Sequence, residues 1–192
     1  MAGKSTFLKA IAVAVLLAHV GSGVPATSMD FPMVRTLFSS PHAADNLRAG
    51  ESFYLAEVRR IKALAEALFH HGSGVAVIDE PFRGTNVHDA AEATVAVITR
   101  LAAHPAVLAL VASHVGEVVP AIIDDPRIAL RHFAADVTSD PPRFDYCIRD
   151  GVSVQRLGMT LLRQEGVLDL LEHPARSSDA QPRQATDPTA PA

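Results

Sequence analysis

The chain has 192 residues, 48% of them hydrophobic and 20% charged, which is the composition of a globular domain that can bury a sizeable core. Its formal net charge of −4 excludes an overall basic surface of the kind that marks many nucleic-acid-binding domains. The single cysteine, Cys147, excludes an internal disulfide framework and fits a reducing compartment, so we expect a cytoplasmic protein in which this thiol is buried.

Helices and strands are predicted to alternate along most of the chain. In order, the patterns predict a helix over 3–20, a strand over 33–38, a polar loop over 39–50, a helix over 53–70, a strand over 75–78, a helix over 87–103, a strand over 107–112, two strands over 128–137 and 144–150 joined by a Pro141-Pro142 turn, and a helix over 157–172. The first helix is apolar on nearly all sides, which is typical of a helix buried in a large core. Alternation of this kind favours an α/β fold with a mostly parallel sheet, and the composition from Pro174 onward predicts a disordered tail.

The beginning of the chain is open to a second interpretation. Lys4 and Lys9 precede an apolar run, and Ala26 is a small residue at a possible cleavage point, as in a secretory signal peptide. The run is too short to span a membrane, which takes about 20 apolar residues. An exported protein from which residues 1–26 are removed is therefore one alternative, and the motifs that follow speak against it.

Gly3-Lys4-Ser5-Thr6 matches the second half of the phosphate-binding loop G-x-x-x-x-G-K-[ST]. The glycine lets backbone amides curl around phosphate oxygens, and Lys4 would reach the β- and γ-phosphates. The hydroxyl of Ser5 would ligate Mg²⁺, and the helix that follows points its positive end at the anion. Four residues alone are a weak signal, and a basic signal-peptide start explains them equally well.

Two further motifs follow buried strands. Asp79 and Glu80 end the run Val-Ala-Val-Ile, and buried strands rarely end in two adjacent carboxylates without a function. Asp79 would belong to the Mg²⁺ shell, and Glu80 would polarise the water that attacks ATP. Ser113-His114 follows the next strand, where His114 could hydrogen-bond the γ-phosphate. Each motif has a structural explanation of its own, but their order and their positions at strand ends favour one nucleotide site.

The same residues resemble the ATPase region of MutS-type DNA mismatch repair proteins. The similarity covers about residues 1–172, and several motifs occur in the family's order. They are Met1–Thr6 for the end of G-P-N-M-A-G-K-S-T, Gly23–Ala26 for G-x-x-V-P-A, Leu47–Glu57 for the segment S-T-F-M-x-E-M, Ile78–Asn86 for D-E-x-x-R-G-T-S, and Ala112–His114 for A-T-H. Pro81-Phe82 and Asn86 depart from the usual residues, which indicates a MutS-related paralogue.

The resemblance implies a P-loop NTPase of the ABC-ATPase type: a three-layer α/β fold over residues 1–173, here lacking its first strand, followed by a tail over 174–192. It implies ATP and Mg²⁺ as cofactors and a homodimer in which each ATP lies between two subunits. The site residues that it implies are Glu80 and His114 for catalysis, Gly3, Lys4, Ser5 and Thr6 for the nucleotide, Ser52 for the partner subunit's nucleotide, and Ser5 and Asp79 for Mg²⁺.

Two functions from different classes remain open at this point. The first is an ATP-binding and ATP-hydrolysing module of a MutS-like protein, which would meet mismatched or branched DNA through regions outside these residues. The second is a catalytically inactive dimerisation module that keeps the family fold without ATP turnover. Neither involves a membrane.

Overall fold

The computed structural model describes residues 3–40, 53–136, 139, 143–153 and 157–172. Within these ranges the chain forms six helices and five strands. In order they are α1 (Lys4–His19), β1 (Thr36–Ser40), α2 (Phe53–His71), β2 (Gly74–Asp79), α3 (Val87–Ala102), β3 (Val107–Ala112), α4 (Val118–Ile122), β4 (Arg131–Asp136), β5 (Arg143–Asp150), α5 (Leu157–Gln164) and α6 (Val167–Glu172).

A parallel sheet with the strand order β1-β2-β3 forms the centre of the fold. Thr36 lies opposite Gly74 in the first pair of strands, and Gly74 lies opposite Val107 in the second. The middle strand is buried along five of its six residues, and a run of apolar residues is what a strand covered on both faces requires. The predicted mixed α/β architecture with a parallel sheet is therefore confirmed.

Helices cover both faces of this sheet. Successive side chains of β2 point to opposite faces, so alternate residues of the strand pack against different helices. Val75 and Val77 pack with Leu8 and Val15 of α1 on one face. Ala76 and Ile78 pack on the other face in a second cluster, which also contains Leu64 and Leu68 of α2 and, from α3, Val97 and Leu101. The described part of the chain thus has a helix–sheet–helix layering.

The chain divides into two compact units. The first comprises Met1–Ala134 and Phe144–Ser153, and it contains the parallel sheet with α1 to α4. The second comprises Ala135–Arg143 and Val154–Ala192, and it contains α5 and α6. The strands β4 and β5 pair in a separate two-stranded sheet.

Several sequence predictions need correction. The single helix predicted over 157–172 is wrong, because Gly166 adopts a φ of +68° and separates α5 from α6. The strand predicted over 33–38 begins later and ends at Ser40, inside the predicted loop, because its two serines pair with Val77 and Ile78 of β2. The short α4 is not predicted, and the 128–137 strand begins only at Arg131.

Burial also differs from two expectations. Helix α1 buries Leu8 and Val15, whereas Val13 and Leu16 are more than half exposed, so its apolar surface is not all buried. Cys147 is exposed rather than buried. The Pro141-Pro142 turn, most of the predicted loop and the tail lie outside the described residues. None of the helices in the described ranges is long and apolar enough to cross a membrane.

Candidate functional site

The beginning of α1 carries the Gly-Lys-Ser-Thr motif. Gly3 precedes the helix with a φ of +98°, and its carbonyl accepts the first helical hydrogen bond from the amide of Phe7 at 2.8 Å. No side chain of the described residues caps this end, and the first turn contains no acidic residue. The free amides and the helix dipole therefore present a positive end at Lys4, Ser5 and Thr6, which suits an anion.

Aromatic side chains lie close to Gly3. A Cβ atom at this position would stand 3.1 Å from Cδ1 of Tyr146 and 3.9 Å from the ring of Phe133. The ring of Phe133 in turn meets that of Phe7 edge-on, with 5.8 Å between the centroids. Only glycine combines the left-handed backbone with this little space, so the sequence requirement at residue 3 has both a conformational and a steric cause.

Two carboxylates follow β2 at the carboxyl-terminal edge of the parallel sheet. The amide of Glu80 donates a 2.8 Å hydrogen bond to the carbonyl of Ala112, which extends the pairing with β3 by one residue. Glu80 itself has a φ of +51°, a left-handed conformation that costs energy for a residue with a side chain. The Oδ1 atom of Asp79 is buried and has no hydrogen-bond partner among the described residues.

The carboxylate of Glu80 contacts two nitrogen-bearing side chains. Its Oε2 atom forms an ion pair with Arg83, three residues later. The Nδ1 atom of His114 lies 3.2 Å from the same oxygen. Because the residues that follow β2 and β3 reach the same edge of the sheet, the second and third motifs meet there directly.

Charge and burial shift the pKa values of two residues in this cluster. Burial lowers the pKa of Lys4, the carboxylate of Asp79 opposes this by raising it, and Arg83 lowers it further. Burial also lowers the pKa of His114, with additional lowering by Arg83 and Lys4. The neutral imidazole is therefore favoured, so the contact between His114 and Glu80 joins a carboxylate and an uncharged ring.

The loop of residues 80–86, which we call the 80–86 loop, packs against the first turns of α2. Phe82 is only 3% exposed, and the centroid of its ring lies 5.8 Å from that of Tyr54. A Cβ atom on Gly84 would stand 2.6 Å from the backbone nitrogen of Tyr54. The backbone amides of Phe82, Arg83 and Gly84 donate to the carboxylate of Glu57.

Comparison with known proteins identifies the family. The family model described as MutS domain V matches residues 1–178. The chain belongs to the MutS domain V family. Among its relatives, the DNA mismatch repair protein MutS of Natronomonas pharaonis is 28% identical over 192 residues, which is 96% of this chain and 22% of that protein. The DNA mismatch repair protein MSH3 of Chaetomium globosum is 37% identical over 114 residues, 59% of this chain and 10% of that protein. The chain therefore spans a minor part of the length of these relatives.

This MutS domain V brings together most of the residues that the sequence singles out. Lys4, Asp79, Glu80 and His114 lie close enough to influence one another's charge or to touch. Ser5 and Thr6 stand exposed at the beginning of α1. Ser52 lies outside the described residues, so its position relative to the others stays a prediction.

Two residues of the domain V site were not among the sequence-predicted site residues. From the sequence, Arg83 is placed only within the motif Ile78–Asn86, although its position three residues after Glu80 is a spacing at which charged side chains can pair. Glu57 had no assigned role, because it lies 25 or more positions from the amides it binds and no local pattern links them. Only the packing of α2 against the 80–86 loop brings these groups together.

Proposed function

We propose that this chain is the ATP-binding and ATP-hydrolysing module of a MutS-like protein in DNA mismatch repair, built on a P-loop NTPase fold. The observation that carries the proposal is the meeting of the three motifs: the uncapped beginning of α1, the carboxylates after β2 and the histidine after β3. A half-buried lysine beside a carboxylate whose Oδ1 is buried and has no partner among the described residues supports a site for phosphate and a cation.

Binding of ATP would use the positive end of α1. The triphosphate would lie against the amides at Gly3 and the first turn, with Lys4 as the charged partner of the β- and γ-phosphates. The side chain of Lys4 has already lost part of its hydration, as the lowered pKa indicates, so its attraction to phosphate is weakened less by water than that of an exposed lysine.

The donor set fits Mg²⁺, which prefers hard oxygen ligands. The buried Oδ1 of Asp79 lacks a partner among the described residues, and the hydroxyl of Ser5 is exposed at the beginning of α1. Together with phosphate oxygens and water they would hold the ion. When bound, Mg²⁺ supplies positive charge against the phosphate oxygens and so lowers the barrier to phosphoryl transfer.

Hydrolysis would depend on Glu80 and His114. Glu80 would accept a hydrogen bond from the attacking water and orient it toward the γ-phosphate, and His114 would donate a hydrogen bond to that phosphate. In the structure both side chains contact each other, and Arg83 pairs with the carboxylate. Arrival of the γ-phosphate would draw His114 and Arg83 toward the new negative charge, which would release Glu80 for the water.

The partners follow from the family and from the names of the relatives, both of which are DNA mismatch repair proteins. We infer a homodimer in which Ser52 contacts the γ-phosphate held by the partner subunit. A serine hydroxyl near the N-terminus of α2 suits that contact. Mismatched or branched DNA would be bound by regions beyond these residues, which is consistent with the net charge of −4.

The test is equilibrium binding of a fluorescent ATP analogue to the 192-residue chain in the presence of Mg²⁺. Replacing Lys4 with alanine removes charge-assisted hydrogen bonds worth roughly 1.5–3 kcal/mol, so we expect Kd to rise about 10- to 100-fold. Lys9→Ala is the matched control, because Lys9 is an exposed lysine on the same helix. Absence of binding, or equal binding by both variants, would instead favour an inactive dimerisation module.

A further inference from the structure

The 80–86 loop has a backbone that needs outside support. Two of its non-glycine residues adopt left-handed conformations, Glu80 with a φ of +51° and Phe82 with a φ of +63°. A residue with a side chain is strained in this conformation, and it persists there only where surrounding contacts hold it. Because Glu80 and Arg83 both belong to this loop, the contacts that hold the loop also determine where these two side chains stand.

Those contacts come from the first turns of α2. Phe82 is buried and its ring meets that of Tyr54. At Gly84 the two backbones approach so closely that a Cβ atom would lie 2.6 Å from the nitrogen of Tyr54 and 2.8 Å from the ring of Phe53. The loop and the helix therefore touch along their backbones, with no room for a side chain between them.

Glu57 completes this contact with polar bonds. It lies three residues after Tyr54 and so on the same side of α2. Its carboxylate accepts hydrogen bonds from three consecutive backbone amides, those of Phe82, Arg83 and Gly84. Successive amides that converge on one anion form a nest, an arrangement that fixes the conformation of the segment supplying them. The Oε2 atom of Glu57 is buried and has no hydrogen-bond partner among the described residues. Burial raises the pKa of this carboxyl, and the three backbone amides oppose that rise by favouring the charged form.

We propose that Glu57 is a positioning residue for ATP hydrolysis, which holds the backbone of the 80–86 loop and thereby sets where Glu80 and Arg83 stand; this rests on the proposed function. Glu57 touches neither the nucleotide nor the attacking water. It acts through the amide of Arg83 and the two amides beside it. Lys4 binds phosphate from α1, a different element, so loss of Glu57 separates turnover from binding.

The size of the effect follows from the geometry that hydrolysis needs. A general base must stand within hydrogen-bond distance of the water, and a displacement of about 1 Å costs on the order of 100-fold in rate. Loss of one anion from a three-amide nest frees the loop to relax from its left-handed conformations. Glutamine keeps the shape and one acceptor oxygen but removes the charge, so its effect lies between those of glutamate and alanine.

A steady-state comparison of Mg²⁺-ATPase activity and analogue binding tests the proposal. We expect Glu57→Gln to lower kcat about 10-fold and Glu57→Ala about 100-fold, with Kd for the analogue changed by no more than about 2-fold. Glu66→Gln, the same change at an exposed glutamate of α2 that pairs with Lys62, serves as the control and keeps the wild-type kcat. A wild-type kcat in Glu57→Ala would overturn the proposal, including the case in which activity falls only below saturating ATP because Kd has risen.

A second measurement does not require nucleotide. Amide hydrogen exchange in the nucleotide-free chain is expected to become faster in peptides covering the 80–86 loop when Glu57 is replaced by alanine, and to stay unchanged in peptides covering β3. Equal exchange of the loop in both proteins would overturn the proposal even if the chain hydrolyses ATP. Faster loop exchange in a chain that shows no binding dependent on Lys4 would instead show that the contact exists and that the proposed function has failed.

Discussion

Glu80 is the residue on which most of the candidate site depends. Its backbone is held by the hydrogen bond to Ala112 and its side chain by Arg83 and His114. A carboxylate that orients water has to be released from such partners at the right moment. Both partners can also bind phosphate. The same two groups can therefore contact Glu80 before ATP binds and contact the phosphate afterwards.

His114 leads to a prediction about pH. Its pKa lies below the ordinary value of 6.5 because of burial, Arg83 and Lys4, so the unfolded chain binds this proton at a higher pH than the folded chain. The stabilising contribution is complete above 6.5 and is lost as the pH falls through the lowered pKa of the folded state. We expect His114→Asn to show a smaller loss of unfolding free energy than the wild type between about pH 7 and pH 5.

Urea denaturation at a series of pH values measures this difference. His88→Asn, the same substitution at an exposed position of α3, is the matched control for the change of side chain itself. The side chain of His114 is 59% exposed, so the effect is small and the slopes of the two curves, not single points, must be compared. Equal slopes for His114→Asn and the wild type would contradict the assigned electrostatic environment.

At the scale of elements, the 80–86 loop is held at both of its ends. Its beginning is fixed to β3 through Glu80, and its middle is fixed to α2 by Glu57 and the close approach at Gly84. Its last residue, Asn86, caps the N-terminus of α3, because its side-chain oxygen accepts a 2.9 Å hydrogen bond from the backbone amide of Asp89. One short segment therefore connects three elements that pack around the site.

The Asn86 cap gives a prediction about stability. Asn86→Ala leaves a helical amide without its acceptor and should lower the free energy of unfolding by about 1 kcal/mol. Asn86→Ser, the residue usual in the family motif, keeps an acceptor oxygen and should cost only a few tenths of that amount. Urea denaturation of the three proteins decides the matter, and equal losses in both variants would show that the hydrogen bond to Asp89 contributes nothing.

For the molecule as a whole, the proposed nucleotide site is complete only when two chains come together. Lys4, Asp79, Glu80 and His114 gather at one end of the sheet, whereas Ser52 is proposed to serve the nucleotide of a second subunit. ATP would then join two chains because each nucleotide contacts both. Binding energy available only in the closed dimer shifts the equilibrium toward it.

This leads to a prediction about assembly. The chain has a mass of 20.4 kDa, and sedimentation velocity in the presence of Mg²⁺ and a non-hydrolysable ATP analogue should show a larger share of a species of twice that mass than the nucleotide-free sample. Ser52→Ala should bind the analogue as the wild type does, but the share of the species of twice the mass should rise less when the analogue is added. An unchanged distribution at saturating analogue would contradict the nucleotide-bridged homodimer.

The helices and strands around the site, and their order along the chain, can be predicted from the amino-acid sequence. The β-branched run before Asp79 and the strand before His114 could be placed because a strand buried on both faces must be continuously apolar. The glycine, lysine and hydroxyl residues at positions 3–6 predict a phosphate-binding motif, because few other residue types can bind phosphate and Mg²⁺ at these positions. Both signals are local, so a single sequence carries them.

The contacts between residues that are distant in the sequence become visible in the folded chain and not before. The break between α5 and α6 depends on the left-handed backbone of Gly166. The later position of β1 depends on its pairing with β2, and the two polar serines at its end do not predict a strand. The contact of Glu57 with the amides of the 80–86 loop joins residues that share no periodicity. Every residue except proline has a backbone N–H group. A hydrogen bond to such a group therefore depends on where the residue lies and not on its type, so it leaves no pattern in the sequence.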